Sequence, residues 1–133
     1  MLTNVTEQGR GAVERPVVAV VDDDPAVCGS LKFSLELEGF AVRVYGSGTE
    51  LLDADDLSAC NCFVIDQRMP VMSGMELIAE LRRRRISTPA ILIASHAHAA
   101  LSARAAKAEI PIVEKPLLGN ALVECIREAC QRG

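Results

Sequence analysis

Residues 17–24 read VVAVVDDD, an apolar run of five residues that ends at three aspartates. A short, β-branched run without polar alternation is typical of a strand buried on both faces of a parallel sheet. Asp24 can cap a helix whose first position is Pro25. The segment therefore predicts a buried strand, a turn that carries three carboxylates, and a helix that starts directly after it.

The alternation of strand and helix continues along the rest of the chain. We predict further strands over residues 40–45, 62–66, 90–94 and 110–113. We predict helices over residues 25–38, 47–57, 74–84, 97–108 and 118–131. Five strands alternating with five helices indicate an α/β domain in which helices cover both faces of a parallel sheet.

Local sequence signals mark several ends of the predicted helices and strands. Gly39 follows the first helix, where a left-handed residue usually ends it. Ser73 and Glu76 form a capping box at the start of the third helix. Pro111 places the fifth strand at an edge of the sheet, because proline cannot donate to a neighbouring strand. The last helix has an inward apolar stripe formed by Leu118, Leu122, Cys125, Ile126 and Ala129.

The composition limits the classes to which the protein can belong. Its 133 residues suit one domain, expected at 16–133 behind a flexible polar tail at 1–15. The net charge of −4 argues against a nucleic-acid partner. No apolar run approaches the roughly 20 residues that span a membrane, which argues against a membrane protein. Five cysteines without a secretory leader or zinc spacing indicate the reducing cytoplasm.

Ligands of an open α/β sheet bind beyond the carboxyl ends of its strands. In order, those ends carry Asp22, Asp23 and Asp24, then Asp66, then Ala94 and Ser95, then Glu114, Lys115 and Pro116. Carboxylates gathered so closely repel one another unless a cation lies between them, and oxygen ligands favour Mg2+. A carboxylate beside Mg2+ and a lysine is a suitable nucleophile for a phosphoryl group. The residues thus predict a magnesium site and phosphoryl chemistry at this edge.

Other interpretations of these acids compete with that prediction. Each acid can simply cap a helix, and we prefer this interpretation for Asp24. A flavin carrier on the same fold needs a loop that cradles phosphate after the first strand, which three aspartates oppose. A phosphatase with an aspartate nucleophile would usually carry a second acid two residues after Asp66, where this chain has Arg68. We therefore discount an enzyme of either kind.

Three segments resemble the signature of response-regulator receiver domains. They read VVDDD at 20–24, VIDQRMPVMSGMEL at 64–77 and VEKP at 113–116. The resemblance covers residues 17–131, and the RMPVMSGMEL segment is most similar to receivers of the nitrogen-fixation regulator type. It implies a flavodoxin-like, doubly wound sheet of five parallel strands in the order 2-1-3-4-5, with five helices.

The resemblance also implies a role for each of five residues. Asp66 would accept a phosphoryl group from a histidine kinase or a phosphotransfer protein. Asp23 and Asp66 would bind Mg2+ directly together with the backbone carbonyl of Arg68, and Asp22 would act mostly through a bound water. Lys115 would pair with the phosphoryl oxygens, and its peptide bond to the following proline is expected to be cis.

The chain departs from the family pattern at two positions. The family carries Thr or Ser at the end of the fourth strand, where this chain has Ala94, and usually an aromatic residue where this chain has Ile112. Ser95 follows Ala94, but alternation along a strand points its side chain the other way, so its backbone N–H is the group expected to contact a phosphoryl group. The usual coupling between hydroxyl and aromatic ring is therefore absent, and we expect a weak or unusual activation switch.

Two further positions border the phosphoryl group in this family. Arg68 lies two residues beyond Asp66, and His96 lies two residues beyond Ala94. His96 can orient or block the water that hydrolyses a phosphorylated Asp66, or it can be an exposed loop histidine, and both interpretations stay open. His98 is expected in solvent on the first turn of the fourth helix.

The leading interpretation is a single-domain response regulator that is not an enzyme beyond its own dephosphorylation. Its output would be contact with a downstream protein of unknown identity, through the fourth helix, the fifth strand and the fifth helix. The Ala-rich and Glu/Arg positions of that face also permit a homodimer. The alternative is a degenerate receiver that binds partners independently of phosphorylation. Ala94 and Ile112 favour this alternative, and the intact set of acids with Lys115 opposes it.

Overall fold

The computed structural model of the protein describes residues 15–117 and 119–132. The predicted tail at 1–15 lies outside these residues except for Arg15. Leu118, the predicted first residue of the last helix, also lies outside them. Within the described ranges, no helix combines the length and the apolar character needed to cross a membrane.

The described residues form one sheet of five parallel strands with helices between them. The strands are β1 Val17–Val21, β2 Ala41–Tyr45, β3 Cys62–Asp66, β4 Ala90–Ala94 and β5 Ile112–Glu114. The helices are α1 Pro25–Leu37, α2 Gly48–Leu52, α3 Gly74–Arg83, α4 Ala99–Lys107 and α5 Ala121–Arg132. The order of the strands is β2-β1-β3-β4-β5, so the predicted flavodoxin-like topology is confirmed.

Two layers of apolar side chains sandwich the sheet. Ala19 and Val21 of β1 face one layer, and Val18 and Val20 face the other, because successive strand residues point to opposite sides. Helices α2, α3 and α4 cover the first layer, and α1 and α5 cover the second. Each fully buried aliphatic side chain contributes about 1.5–3 kcal/mol. Burial on both sides explains why the run at 17–21 shows no polar alternation.

Three helices end with the same hydrogen-bond pattern. After α1, Gly39 has a φ of +99° and the next residue, Phe40, donates its N–H to the carbonyl of Leu35 at 3.2 Å. Arg85, with a φ of +65°, ends α3 in the same way, and Glu109, with a φ of +58°, ends α4. The left-handed region suits glycine but strains other residues, so Arg85 and Glu109 each carry a conformational cost.

The predicted second helix is longer than the observed one. Helix α2 ends at Leu52, and a separate 3-10 turn at Leu57–Ala59 follows the left-handed residue Asp56, whose φ is +62°. Three aspartates lie between the two elements. Aspartate is a weak helix former, and its charge is unfavourable at the negative end of a helix dipole. The prediction that this helix runs through residue 57 is therefore wrong.

The fifth strand begins two residues later than predicted. The N–H of Ile110 donates to the carbonyl of Ala105 at 2.8 Å and so ends α4 instead of joining the sheet. Pro111 contributes only its carbonyl, which accepts from the N–H of Leu92 at 2.9 Å. Strand β5 lies at an edge, as Pro111 predicted. Helix α5 begins three residues later than predicted, and the other described ends differ from the predicted ones by two residues at most.

Gly74 allows α3 to approach the end of β3 closely. A Cβ atom at this position would lie 2.6 Å from Cδ1 of Leu92 and 2.7 Å from the carbonyl oxygen of Asp66. A backbone oxygen cannot rotate away as the end of a side chain can. Any larger residue at position 74 must therefore push α3 away from Asp66 or displace Asp66 itself.

We expect Gly74→Ala to lower the free energy of unfolding by about 1–3 kcal/mol, the usual cost of overpacking. Gly29→Ala is the matched control, because Gly29 lies in α1 and an added Cβ meets nothing within 4 Å. The control should gain about 0.5–1 kcal/mol from its better helix propensity. Urea denaturation measures both changes, and a Gly74→Ala variant as stable as the wild type would show that α3 has room.

The strain at the end of α3 leads to a second expectation. Arg85→Gly should raise the free energy of unfolding by about 0.5–1 kcal/mol, since glycine adopts a φ of +65° without the steric cost of a Cβ atom. Arg85→Ala keeps the Cβ atom and should bring no such gain. Thermal unfolding of the two variants distinguishes relief of strain from loss of the arginine side chain.

Candidate functional site

A cleft of about 640 Å³ opens at the carboxyl ends of the strands. Parallel strands end on the same side of the sheet, so residues distant in sequence meet at this edge. The cleft is lined by every residue predicted for the site: Asp22, Asp23, Asp66, Arg68, Ser95, His96 and Lys115. The structure therefore brings the whole predicted set together.

Three acids lie at the base of this cleft. Asp66 is the last residue of β3 and Asp22 follows β1, and both are buried, with 6% and 4% of their surface exposed. Oδ1 of Asp22 accepts the N–H of Asp24 at 2.9 Å. Asp23 is exposed at the rim. One carboxylate oxygen from each of Asp22, Asp23 and Asp66 lies within 4.8 Å of the others.

Lys115 brings a positive charge to the acids from the end of β5. Its Nζ lies 3.0 Å from Oδ1 of Asp66 and 4.0 Å from Oδ2 of Asp22. The N–H of Lys115 donates to the carbonyl of Ala94 at 2.9 Å, which continues the pairing between β4 and β5. The bond from Lys115 to Pro116 is cis, as the resemblance predicted.

The electrostatics of the cleft follow from this geometry. Burial raises the pKa of Asp22 above its ordinary value, and the charges of Asp66 and Asp23 raise it further, although the hydrogen bond from Asp24 opposes the shift. Burial by itself lowers the pKa of Lys115, but the hydrogen bond to Asp66 and the neighbouring negative charges outweigh it, so this pKa is raised. One ammonium group leaves three clustered carboxylates with uncompensated negative charge.

The donor set fits a hard divalent cation. The clustered atoms are all carboxylate oxygens, two of the acids are buried, and their mutual repulsion is relieved by a cation. Mg2+ suits such a site because it needs few carboxylates and keeps several waters. Arg68 lines the same cleft, and the role of its carbonyl as a ligand stays a prediction.

The end of β4 forms another wall of the cleft. Ala94 is buried and offers only a methyl group, and it belongs to the same apolar layer that half-buried Ile112 packs against. Ser95 and His96 are exposed and border the cleft. The functions predicted for these two residues stay predictions.

His98 has a different place from the expected one. It precedes α4 as its N-cap, and its Nδ1 accepts the N–H of Leu101 at 3.1 Å. The prediction that His98 lies on the first turn is wrong, because its ring takes the position in which an acceptor satisfies an unpaired helical N–H. Sequence reasoning overlooked it because histidine is an unusual capping residue.

Two further polar contacts near the cleft escaped prediction. Oε2 of Glu114 accepts the N–H of Ala97 at 3.1 Å and so joins the end of β5 to the loop before α4. Oε1 of Gln67 accepts the N–H of Met75 at 2.9 Å and so joins the end of β3 to the start of α3. Neither contact has a local motif, because the partners are brought together only by the fold.

Comparison with known families identifies the class of this protein. The model of the response regulator receiver domain matches residues 18–127, which is most of the chain. The chain belongs to this family, whose members are the phosphoacceptor modules of two-component signalling. The predicted resemblance is thereby confirmed.

Individual relatives give a consistent result. The chain is 35% identical to the transcriptional regulatory protein FixJ of Rhizobium meliloti strain 1021, over 86% of this chain and 56% of FixJ. It is 37% identical to FixJ of Azorhizobium caulinodans, over 86% of this chain and 55% of the relative. The chain thus spans about half the length of the curated relatives that it matches.

Solved structures of receiver domains superpose closely on this chain. The crystal structure of FixJ-N superposes with a TM-score of 0.81 at 34% identity, over 90% of this chain and 97% of FixJ-N. A CheY-like receiver domain from Methanospirillum hungatei JF-1 superposes with a TM-score of 0.80 at 26% identity, over 90% of this chain and 96% of that one. Both superpositions cover nearly the whole of the compared chain, so both structures share the fold of this protein.

The raised pKa of Asp22 predicts a pH-dependent stability. Folding favours the protonated acid, so ionisation costs stability as the pH rises through the raised pKa. Without divalent cation at pH 7, Asp22→Asn should therefore raise the free energy of unfolding by about 1 kcal/mol, the usual size of a stabilising substitution. The gain should shrink on acidification and vanish below the ordinary value of 3.8, where the acid is protonated in both states.

Denaturation of the two proteins across pH measures this difference. Asp55→Asn, at an exposed acid outside the cleft, is the control and should show no comparable gain. Addition of Mg2+ should stabilise the wild type more than Asp22→Asn, since a ligand stabilises the state that binds it. An Asp22→Asn protein less stable than the wild type at pH 7 without cation would contradict the expectation.

Proposed function

We propose that this protein is a response-regulator receiver that accepts a phosphoryl group on Asp66 in a Mg2+-dependent reaction. The donor is a phosphohistidine of a histidine kinase or a phosphotransfer protein, in the cytoplasm. The observation that carries the proposal is the 3.0 Å contact between Lys115 and Asp66 within the acidic cluster. Membership of the receiver family supports it.

The proposed transfer forms one bond and breaks one. A carboxylate oxygen of Asp66 attacks the phosphorus of the donor, and the P–N bond breaks with its electron pair passing to the imidazole nitrogen. The product is an acyl phosphate on Asp66. Its later hydrolysis by water returns the carboxylate and releases inorganic phosphate, which is the extent of the protein's own chemistry.

The residues of the cleft have complementary roles in this reaction. Lys115 lies beside Asp66 before transfer and is within reach of phosphoryl oxygens afterwards. Asp23, Asp66 and the carbonyl of Arg68 hold Mg2+, and Asp22 acts through a bound water. When bound, the cation neutralises charge on the transferring group.

The wall at β4 influences the steps after phosphoryl transfer. The backbone N–H of Ser95 contacts the phosphoryl group, and His96 orients or blocks the hydrolytic water. Ala94 supplies no hydroxyl to draw toward the phosphoryl group, so activation of the α4–β5–α5 face occurs by an unusual or weak route. Output is contact of this face with a downstream protein or with a second copy of the chain.

A degenerate receiver is the second candidate. Two observations favour it, namely the methyl group of Ala94 at the cleft and the aliphatic Ile112 at the position of the usual aromatic ring. Such a protein would bind its partners whether or not Asp66 is modified. Regulation of transcription is a property of the FixJ relatives, which are about twice as long as the matched segment.

Incubation with acetyl phosphate and Mg2+ tests the proposal. Intact-mass measurement should show addition of one phosphoryl group to the wild type and none to Asp66→Asn. Lys115→Ala should slow the reaction by a factor on the order of 10²–10³, as loss of a charge-stabilising donor usually does. Asp53→Asn, an exposed acid outside the cleft, should react like the wild type.

Either of two results would reject phosphorylation on Asp66. A wild type that gains no mass would favour the degenerate receiver, and a mass gain that survives Asp66→Asn would place the phosphoryl group elsewhere. Chelation of Mg2+ should abolish labelling of the wild type, and labelling that continues without the cation would contradict the metal requirement.

A further inference from the structure

Gln67, the residue after Asp66, is held by three hydrogen bonds. Its N–H donates to the carbonyl of Ile93 in β4 at 2.8 Å. Its carbonyl accepts the N–H of Gly74 at 3.0 Å, and its side-chain Oε1 accepts the N–H of Met75 at 2.9 Å. One residue therefore ties the end of β3 both to the neighbouring strand and to the start of α3.

These bonds account for the first turn of α3. The first N–H groups of a helix have no partner inside the helix and need acceptors from outside it. Gly74 and Met75 are satisfied by Gln67, and Glu76 is satisfied by Oγ of Ser73 at 3.2 Å. The acceptor on Ser73 is local to the helix, whereas the acceptors on Gln67 close the whole loop between β3 and α3.

The loop that Gln67 closes is strained. Val71 has a φ of +70°, a rare conformation for a β-branched residue, and its surface is 98% exposed. The N–H of Met72 donates to the carbonyl of Pro70 at 2.7 Å across this tight turn. Such strain persists only where the surroundings impose it, and an exposed side chain imposes nothing. The restraint comes from other parts of the loop: Met69 is buried in the apolar layer and Met72 packs against it, and the hydrogen bonds of Gln67 hold the ends of the loop.

We infer that Gln67 is a positioning residue for the metal site. By closing the strained loop it fixes Arg68, whose backbone carbonyl is a proposed Mg2+ ligand, and it fixes the backbone next to Asp66. The inference rests on the proposed metal site. It assigns to the amide side chain of Gln67 the function of an outer-shell partner, the loss of which typically weakens metal binding by 10–100-fold.

The test measures Mg2+ affinity of the unphosphorylated protein by titration calorimetry. Gln67→Met keeps the size of the side chain but removes its strong acceptor, and it should weaken Mg2+ binding by about tenfold. Ser73→Ala is the matched control, because it removes an acceptor from the same helical turn without opening the loop. It should lose a similar stability and keep the Mg2+ affinity of the wild type.

Gln67→Glu provides the conservative rescue. It retains an oxygen that can accept from Met75, so its Mg2+ affinity should equal or exceed that of the wild type, and this variant keeps the test open if Gln67→Met does not fold. Equal losses of affinity in Gln67→Met and Ser73→Ala would overturn the inference, as would a loss in Gln67→Glu. A wild type that binds no Mg2+ at millimolar concentration would overturn it together with the metal site.

Labelling with acetyl phosphate separates this inference from the proposed function. A wild type that binds Mg2+ but takes no phosphoryl group refutes phosphorylation on Asp66. The positioning function of Gln67 is then tested by the calorimetry alone. If the inference holds, Gln67→Met should need about tenfold more Mg2+ for half-maximal labelling and reach the rate of the wild type at saturation. A lower rate at saturating Mg2+ with unchanged affinity would overturn it.

Discussion

The burial of two neighbouring carboxylates at the end of a sheet constrains everything around them. Asp22 and Asp66 are almost inaccessible to solvent, and a buried charge is costly unless an opposite charge lies close to it. Lys115 supplies that charge from β5, although β4 separates β5 from β3. Its ammonium group reaches Asp66 because three parallel strands end at the same edge. The order of the strands and the chemistry of the cleft therefore depend on each other.

Three loops around the cleft are each held by a side chain that accepts a backbone N–H. Asp24 caps α1 at Ala26, Gln67 holds the start of α3, and Glu114 holds the loop before α4. Each of these residues lies within two positions of an acid or base of the cleft. Side chains that bind or react are thereby carried on backbone that is already ordered, which lowers the cost of placing them around a ligand.

The connection from the cleft to α4 is apolar at two positions. Ala94 and Ile112 contribute hydrocarbon to one apolar layer, so neither offers a polar group that a phosphoryl group could attract. The polar contacts on this side run through Lys115 to Asp66 and through Glu114 to Ala97. The end of β5 is therefore in direct contact with Asp66 through Lys115, and Glu114 attaches the adjoining loop to β5.

The amino-acid sequence was enough to predict the alternation of strands and helices, the capping box of Ser73, and the acids that end β1 and β3. These features depend on periodicity and on spacings of a few residues, and the resemblance of three short segments then indicated the role of each acid. The parallel order of the strands followed from the same resemblance. All of this information is contained within short stretches of chain.

Contacts between distant segments could be seen only in the folded chain. The same holds where one backbone group has two possible hydrogen-bond partners. The 3.0 Å contact of Lys115 with Asp66 and the hydrogen bond from Met75 to Gln67 require the folded sheet. The late start of β5 has a similar cause, because the N–H of Ile110 can serve either α4 or the sheet and packing assigns it to α4. Where a backbone group has two possible hydrogen-bond partners, tertiary packing determines which of them it binds, and the local sequence pattern does not predict the outcome.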